Sequence, residues 1–193
     1  KQLTVNKVSL KANVSSQYIS ALLLIAPKLE NELELTLEGT ITSMPYIKMT
    51  LNLLSQIGVE SSFKDNVITV KSLSKLDKNI DLVVESDWSS ASYYFSIIAL
   101  SKIGTSVTIS SYKNESLQGD SVLAQIYKTF GVSTEFNNNS VTISKTSEAK
   151  SIKELNLQEA PDIAQTIAVT AFGLGLSCYL TGLHTLKIKE TDR

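Results

Sequence analysis

A thirteen-residue pattern occurs twice in this chain, and the repeat limits the possible folds more than any other feature. The first copy, GVESSFKDNVITV, begins at Gly58, and the second, GVSTEFNNNSVTI, begins at Gly131, 73 residues later. Each copy follows an amphipathic helical segment, 45–57 or 119–130, which ends at a glycine suited to a left-handed C-cap. A strand, a polar turn and a second strand follow each glycine. We therefore expect a repeated unit that ends in a helix and a β-hairpin.

The segments before these helices also correspond. Ser15-Ser16-Gln17-Tyr18 begins an apolar helical stretch, and residues 89–93 begin another 74 residues later. A third such stretch begins at 161–164, near the position that one more repeat predicts. Short β-branched runs, typical of strands, lie between the helices at 33–37, 107–110 and 178–181. One unit is therefore predicted to have the order β-α-β-α-β-β.

This order predicts an α/β (α+β) fold with mixed sheets. Crossovers through a helix join parallel strands, whereas the closing hairpin is antiparallel, so each unit should carry two helices on one face of its sheet. The chain is expected to hold two full units, about 1–72 and 81–145, and the beginning of a third. The polar stretch 145–154 is predicted to be a loop, and 137–139 a hairpin turn.

Composition indicates a soluble protein with a substantial core, since 42% of the residues are hydrophobic and 19% are charged. The net charge of −1 argues against a nucleic-acid or membrane surface. No stretch is apolar and long enough to span a bilayer, and no signal-like segment is present, so we expect a cytoplasmic protein. The single cysteine, Cys178, lies in the apolar stretch GLGLSCYL and is interpreted as a core residue rather than a nucleophile.

Several predicted helices begin with a hydroxyl or acidic residue. Such residues commonly cap the first turn of a helix. Paired serines at a helix N-terminus would also suit a phosphate, because free N–H groups and the positive end of the helix dipole meet there. Ser15 and Ser16 form such a pair, with Gln17 and Tyr46 as possible donors nearby. The other helix starts of this kind are at Ser43, Asp87 and Asp162.

Charged residues are dense between His184 and Arg193. A run such as KIKETDR is commonly a solvated strand end and helix start. It could instead form a site in which cations hold a phosphate or carboxylate while Glu190 moves a proton. The single histidine, His184, is interpreted as a surface residue, or one with satisfied hydrogen bonds, rather than as a catalyst.

Six segments, in this order, resemble the 5-enolpyruvylshikimate-3-phosphate synthase family over essentially the whole chain: VSSQYISALLLIAP, SMPYIKMTLNLL, ESDWSSASYYF, LQGD, APDIAQTIA and KIKETDR. The resemblance implies a transferase that joins phosphoenolpyruvate to shikimate 3-phosphate and releases phosphate, in the shikimate pathway to chorismate and the aromatic amino acids. It further implies a protein without metal or organic cofactor, monomeric at full length.

The resemblance also implies an enolpyruvyl transferase-like inside-out α/β barrel, in which two domains of three units each close on a cleft. This chain resembles the central part of such an enzyme. Residues 1–85 would be the last unit of the first, shikimate-phosphate-side domain. Residues 86–193 would be the first unit and part of the second unit of the other domain. A fragment of this kind is expected to be inactive alone.

Site roles follow from the same resemblance. Asp162 is expected to hydrogen-bond the attacking 5-hydroxyl, and Glu190 to transfer a proton near the enolpyruvyl carbon. Thr185 stands where some members have Asn, and Met44 where some have a basic residue. The expected contacts to shikimate 3-phosphate are Ser15, Ser16, Gln17, Ser43, Tyr46, Asp162, Thr185 and Lys189. Those to phosphoenolpyruvate are Gln17 and Arg193.

Two alternatives remain open at this point. UDP-N-acetylglucosamine enolpyruvyl transferase shares the repeat and the cleft, but it uses a loop cysteine that this chain lacks. A non-catalytic repeat scaffold would explain the units, but it would give no reason to place Ser15, Asp162 and Glu190 around one cleft.

Overall fold

The computed structural model describes residues 6–13, 16–41, 44–75 and 79–188. For residues 187 and 188 it describes the backbone and not the side chains. The chain divides into two compact units, one that runs to Leu82 and one from Val83 to Lys187. Their assignment to two different domains, with a boundary at 85/86, stays a prediction.

The first unit has the predicted order β-α-β-α-β-β. Its sheet has the strand order β1-β2-β4-β3, in which β1 and β2 are parallel and the other neighbours are antiparallel. The prediction of a mixed sheet is confirmed here. The elements are β1 (Lys7–Lys11), α1 (Ser16–Ile25, followed by a 3₁₀ turn at Ala26–Lys28), β2 (Leu33–Glu38), α2 (Met44–Gln56), β3 (Ser61–Lys64) and β4 (Val67–Val70).

Period-2 patterning creates the core of this unit. In β2 the alternating leucines are buried, and the sheet packs against the buried faces of α1 and α2. Asp65 and Asn66 both have positive φ, 51° and 63°, as a two-residue type I′ hairpin requires. Ser20 Oγ and Thr50 Oγ1 lie 3.0 Å apart and join the two helices. The principal buried residues are Ile19, Leu23, Leu33, Leu35, Leu37, Ile47, Leu54 and Ile68.

The second unit begins with one helix and a three-stranded antiparallel sheet of order β5-β7-β6. The helix expected at 119–130 is shorter than predicted, because Gly119, Asp120 and Ser121 are weak helix formers and adopt a 3₁₀ turn. The hairpin turn is confirmed at 138–139, directly after β6. The elements are α3 (Trp88–Ala99), β5 (Ser106–Ser110), the 3₁₀ turn Gly119–Val122, α4 (Leu123–Ile126), β6 (Val132–Asn137) and β7 (Ser140–Lys145).

The opening strand that the repeat predicts for this unit is not formed in the described residues 79–87. The Ser86 N–H donates to Ser111 O at 2.7 Å, as the Ala12 N–H donates to Glu38 O at 2.8 Å just after β1. The backbone before Ser86 does not continue this pairing as a strand. Val83 and Val84 are 67% and 85% exposed. Both valines are therefore left uncovered where the repeat predicts a strand.

A βαβ element follows within the same compact unit. Its two strands are parallel, as expected for the beginning of a third unit, and the strand predicted at 178–181 is confirmed. The predicted loop 145–154 is wrong at both ends: Lys145 still belongs to β7, where its Nζ donates to Phe130 O at 2.7 Å, and β8 begins at Ile152. The elements are β8 (Ile152–Asn156), the 3₁₀ turn Pro161–Ile163, α5 (Ala164–Gly173), β9 (Cys178–Thr181) and the 3₁₀ turn His184–Ile188.

Aromatic side chains form the centre of the second unit. Trp88, Phe95, Tyr127 and Phe130 are fully buried, and the rings of Phe95 and Tyr127 meet edge to face at 5.3 Å. Cys178 is half-buried beside this core, in agreement with its interpretation as a packing residue. The unit therefore has a core of its own.

Candidate functional site

Two helices of the first unit begin at the same edge of its sheet. β1 and β2 are parallel, and their last residues, Lys11 and Glu38, are register partners. Each strand leads into a helix, so the N-termini of α1 and α2 lie at the edge where these strands end. A helix N-terminus carries unpaired N–H groups and a partial positive charge. This edge therefore presents two positive helix ends.

Three of the predicted site residues lie at this edge. Ser16 is the first residue of α1 and is half-buried, and the next residue, Gln17, is exposed. Tyr46 is half-buried in the first turn of α2, and its carbonyl accepts a hydrogen bond from Thr50 Oγ1 at 3.0 Å. Because Thr50 also contacts Ser20 of α1, this hydroxyl pair fixes the two helix starts relative to each other.

A second sheet edge, in the second unit, holds two more predicted residues. β8 and β9 are parallel, and Asn156 and Thr181 are partners at their ends. Asp162 follows β8 in a 3₁₀ turn and is half-buried, while its neighbours Pro161 and Ile163 are fully buried. Those two apolar anchors hold the turn against the core and leave the carboxylate partly accessible. Thr185 follows β9 in another 3₁₀ turn. The structure therefore brings Asp162 and Thr185 to one edge.

Thr185 has an unusual environment for a hydroxyl group. Its side chain is buried, and its Oγ1 has no hydrogen-bond partner among the described residues. Buried hydroxyls normally have a partner, since an unpaired one costs about 1–3 kcal/mol. A polar ligand group would supply the missing bond. The adjacent His184 is exposed, as expected for a surface residue.

The helix start at α3 is built differently from the anion site predicted at Ser15-Ser16, its counterpart 74 residues earlier. Asp87 caps the helix: it accepts the N–H of Ser89 at 2.9 Å and the hydroxyl of Ser90 at 2.8 Å. The Ser89 hydroxyl donates to the buried Asp120. With two carboxylates on its serines, this end would repel an added anion. The capping interpretation therefore holds at α3.

Glu85 and Gln118 connect the start of α3 to the loop before α4. Glu85 Oε1 accepts from Trp88 Nε1 at 2.9 Å, and its Oε2 accepts from Ser116 Oγ at 2.8 Å. Gln118 Oε1 accepts the Trp88 N–H at 2.9 Å. Burial raises the pKa of Tyr112, whose OH donates to Asp87 O at 3.1 Å. These partners are distant in sequence, so reading the chain for motifs missed the network.

A cavity of about 280 Å³ lies beside the segment that leads to Asp162. Its walls are Gly119, Val122 and Ile126 on one side and residues 155–160 on the other.

Among the described residues, no three His, Cys, Asp or Glu side chains form a group able to bind a metal ion. None of the described helices has the length and apolar character needed to cross a membrane.

The remaining predicted site residues lie outside the described residues. Their positions and roles stay predictions. They are Ser15, Ser43, Lys189, Glu190 and Arg193.

Comparisons with known proteins all point to one family. The sequence model of the family described as EPSP synthase (3-phosphoshikimate 1-carboxyvinyltransferase) matches residues 1–193. A 3-phosphoshikimate 1-carboxyvinyltransferase of Bacteroides fragilis (strain YCH46) is 41% identical over 194 residues, which cover 100% of this chain and 47% of that protein. The chloroplastic protein of that name from Brassica napus is 33% identical, with 97% of this chain and 37% of that protein covered.

A solved structure shares the fold. The EPSP synthase from Acinetobacter baumannii superimposes with a TM-score of 0.69 at 20% sequence identity, over 99% of this chain and 43% of that one. At this identity the match speaks for the fold alone. The chain spans about half the length of the curated relatives that it matches.

Proposed function

The chain belongs to the EPSP synthase family, and we propose that the protein containing it transfers the enolpyruvyl group of phosphoenolpyruvate to the 5-hydroxyl of shikimate 3-phosphate. Inorganic phosphate is the second product. The observation that carries this proposal is the family match over residues 1–193, together with helix starts and an acid at the ends of parallel strands. The full protein would act as a cytoplasmic monomer in aromatic amino-acid biosynthesis.

The phosphate of shikimate 3-phosphate would bind at the N-terminus of α1. Ser16, with Ser15 before it, would donate hydroxyl hydrogen bonds, and the free N–H groups of the helix would add to them. Gln17 and Tyr46 lie at the same edge of the sheet and would bind further polar groups of the substrates. Ser43 would complete this set from the segment before α2.

The acid chemistry would centre on Asp162 and Glu190. The 5-hydroxyl loses its proton as its oxygen bonds to C2 of phosphoenolpyruvate, and C3 gains a proton, which gives a tetrahedral adduct. The C2–O bond to phosphate then breaks as C3 loses a proton, so the enol double bond re-forms. Two positioned carboxyl groups can take and return these protons. Asp162 would serve the hydroxyl, and Glu190 would serve C3.

The remaining site residues would bind the charged and polar groups of the two substrates. Two phosphate groups and two carboxylates meet in this reaction, and Lys189 and Arg193 would offset part of that negative charge. Thr185 would hydrogen-bond shikimate 3-phosphate through its Oγ1, which has no partner among the described residues. No metal or organic cofactor takes part in this scheme.

The sister reaction on UDP-N-acetylglucosamine finds less support. That reaction requires a cysteine on a loop, whereas Cys178 lies in β9, half-buried beside the core. A scaffold without catalysis would not explain why the buried Oγ1 of Thr185 finds no partner among the described residues.

Incubation of the full-length protein with shikimate 3-phosphate and phosphoenolpyruvate tests the proposal. Released phosphate and the enolpyruvyl product are followed together, the latter by ³¹P NMR. We expect equal amounts of both, and no phosphate when shikimate replaces shikimate 3-phosphate. Phosphate release without the enolpyruvyl product, or product formed from UDP-N-acetylglucosamine instead, would overturn the assignment.

A further inference from the structure

One side-chain and two backbone hydrogen bonds hold the segment between β8 and Asp162. Asn156, the last residue of β8, accepts the N–H of Gln158 on its Oδ1 at 2.9 Å. The Leu157 N–H donates to Thr181 O at 2.9 Å, and the Ala160 N–H donates to Leu157 O at 3.0 Å. The backbone is therefore fixed from the end of the strand to within two residues of Asp162.

Gly182 packs against this same turn from the end of β9. Its φ is +75°, a value that favours glycine. A Cβ at this position would overlap Asn156 Oδ1 and would lie 2.6 Å from the Gln158 nitrogen. The absence of a side chain at Gly182 is thus what allows the Asn156 turn to lie against the segment that leads to Thr185.

The contact joins the two segments that carry the predicted site residues of this unit. Asp162 lies four residues beyond Gln158, and Thr185 lies three residues beyond Gly182. We infer that Asn156 and Gly182 are positioning residues, which set the place of Asp162 and Thr185 relative to each other. This inference rests on the proposed function, since it assigns those two residues to one reaction.

The exposure of Asn156 indicates that it contributes little to the stability of the fold. Asn156 is exposed, so replacing it leaves no cavity in the core. Its loss removes one side-chain hydrogen bond, which contributes only about 0.5–1.5 kcal/mol to stability. Catalysis is more sensitive, because a displacement of about 1 Å in a reacting group can reduce a rate by roughly 10²-fold. Turnover should therefore respond to Asn156 more strongly than folding does.

A conservative pair of variants tests the inference in the full-length protein. Asn156→Ala removes the acceptor, whereas Asn156→Asp keeps an oxygen in its place. We expect kcat to fall by about 10-fold or more in the alanine variant, with the KM for phosphoenolpyruvate within about threefold, and to recover to within about threefold of wild type in the aspartate variant. Asn139→Ala, in the β6–β7 turn, is the matched control and should leave kcat unchanged.

Two results would overturn the inference: full turnover in Asn156→Ala, or equal losses in the alanine and aspartate variants. Hydrogen exchange gives a readout that does not need activity. The Gln158 amide should exchange about tenfold faster or more in Asn156→Ala than in wild type, and an unchanged rate would mean that the hydrogen bond to Asn156 Oδ1 does not hold the turn. A wild-type protein that forms no product would refute the proposed function. The exchange measurement would still test whether Asn156 holds the turn at Gln158.

Discussion

Gly131 is expected to be among the least replaceable glycines of the second unit. It ends the helical segment before β6 with a φ of +76°, and an added Cβ would lie 2.7 Å from the carbonyl carbon of Ser147 and 3.0 Å from Glu148 O. Its own carbonyl accepts the N–H groups of Thr146 at 2.8 Å and Ser147 at 3.2 Å. The obstructing atoms are backbone atoms held by these bonds, so they cannot move aside cheaply.

The destabilisation expected for Gly131→Ala has two causes, backbone strain and steric overlap. A left-handed backbone costs alanine roughly 1–2 kcal/mol relative to glycine. Forcing a methyl group against fixed backbone adds about 1–3 kcal/mol. Gly104 separates the two costs, because its φ is +97° but no atom lies within 4 Å of an added Cβ. We expect Gly131→Ala to destabilise the unit by about 3 kcal/mol and Gly104→Ala by about 1 kcal/mol.

Thermal unfolding followed by Trp88 fluorescence measures this difference. Trp88 is the single tryptophan of the chain, and it is buried in the second unit, so its emission reports that unit. At roughly 4–8 °C per kcal/mol for a unit of this size, Gly131→Ala should lower Tm by about 12–24 °C and Gly104→Ala by about 4–8 °C. Equal shifts in the two variants would refute the steric argument.

The remaining predictions concern the site and the core. In the full-length protein, the proposed roles predict that Asp162→Asn and Glu190→Gln each lower kcat by ~10²-fold or more, while calorimetry finds shikimate 3-phosphate binding nearly intact; turnover within about threefold of wild type would refute these roles. Replacing Ser15 and Ser16 together with alanine should weaken that binding by at least about tenfold, and unchanged affinity would reduce them to helix caps. Burial raises the pKa of Tyr127 from 10.0 to about 12. The folded state keeps the neutral phenol to a higher pH than the unfolded state does, so the stability of wild type relative to Tyr127→Phe should fall as pH rises from 10 to 12, by up to about 1.4 kcal/mol per pH unit. Urea unfolding at a series of pH values compares the two proteins, and parallel curves would contradict this.

The repeat predicted the first unit well because its local signals agree with its packing. Gly58 ends α2 with a φ of +84°, and Asp65-Asn66 makes the turn that the hairpin pattern requires. The leucine alternation in β2 faces two apolar helices that the sequence places beside it. Each of these features depends on neighbours within a few residues or on the next element, so periodicity was sufficient.

The second unit departs from its repeat where distant partners decide the structure. The strand expected before Ser86 does not form in the described part of the chain, and Val83 and Val84 stay exposed. The helix expected at 119–130 gives way to a 3₁₀ turn, in which Asp120 is committed to the hydroxyl of Ser89, 31 residues away. Periodicity carries no information about such pairs.

The two serine pairs show that a repeated motif need not keep its role. Ser89-Ser90 occupies the position of Ser15-Ser16 one repeat later; Ser16 is the first residue of α1, and Ser89 and Ser90 lie in the first turn of α3. At α3, Asp87 and Asp120 already accept hydrogen bonds from the two hydroxyls, so fixed negative charge takes the place that an anion would need. The residue one repeat before Asp87 is Asn13, which is neutral. A single acidic substitution before the helix can therefore convert the start of a repeat unit from an anion site into a structural cap, and Asn13→Asp would be expected to weaken phosphate binding at Ser15-Ser16 by like-charge repulsion.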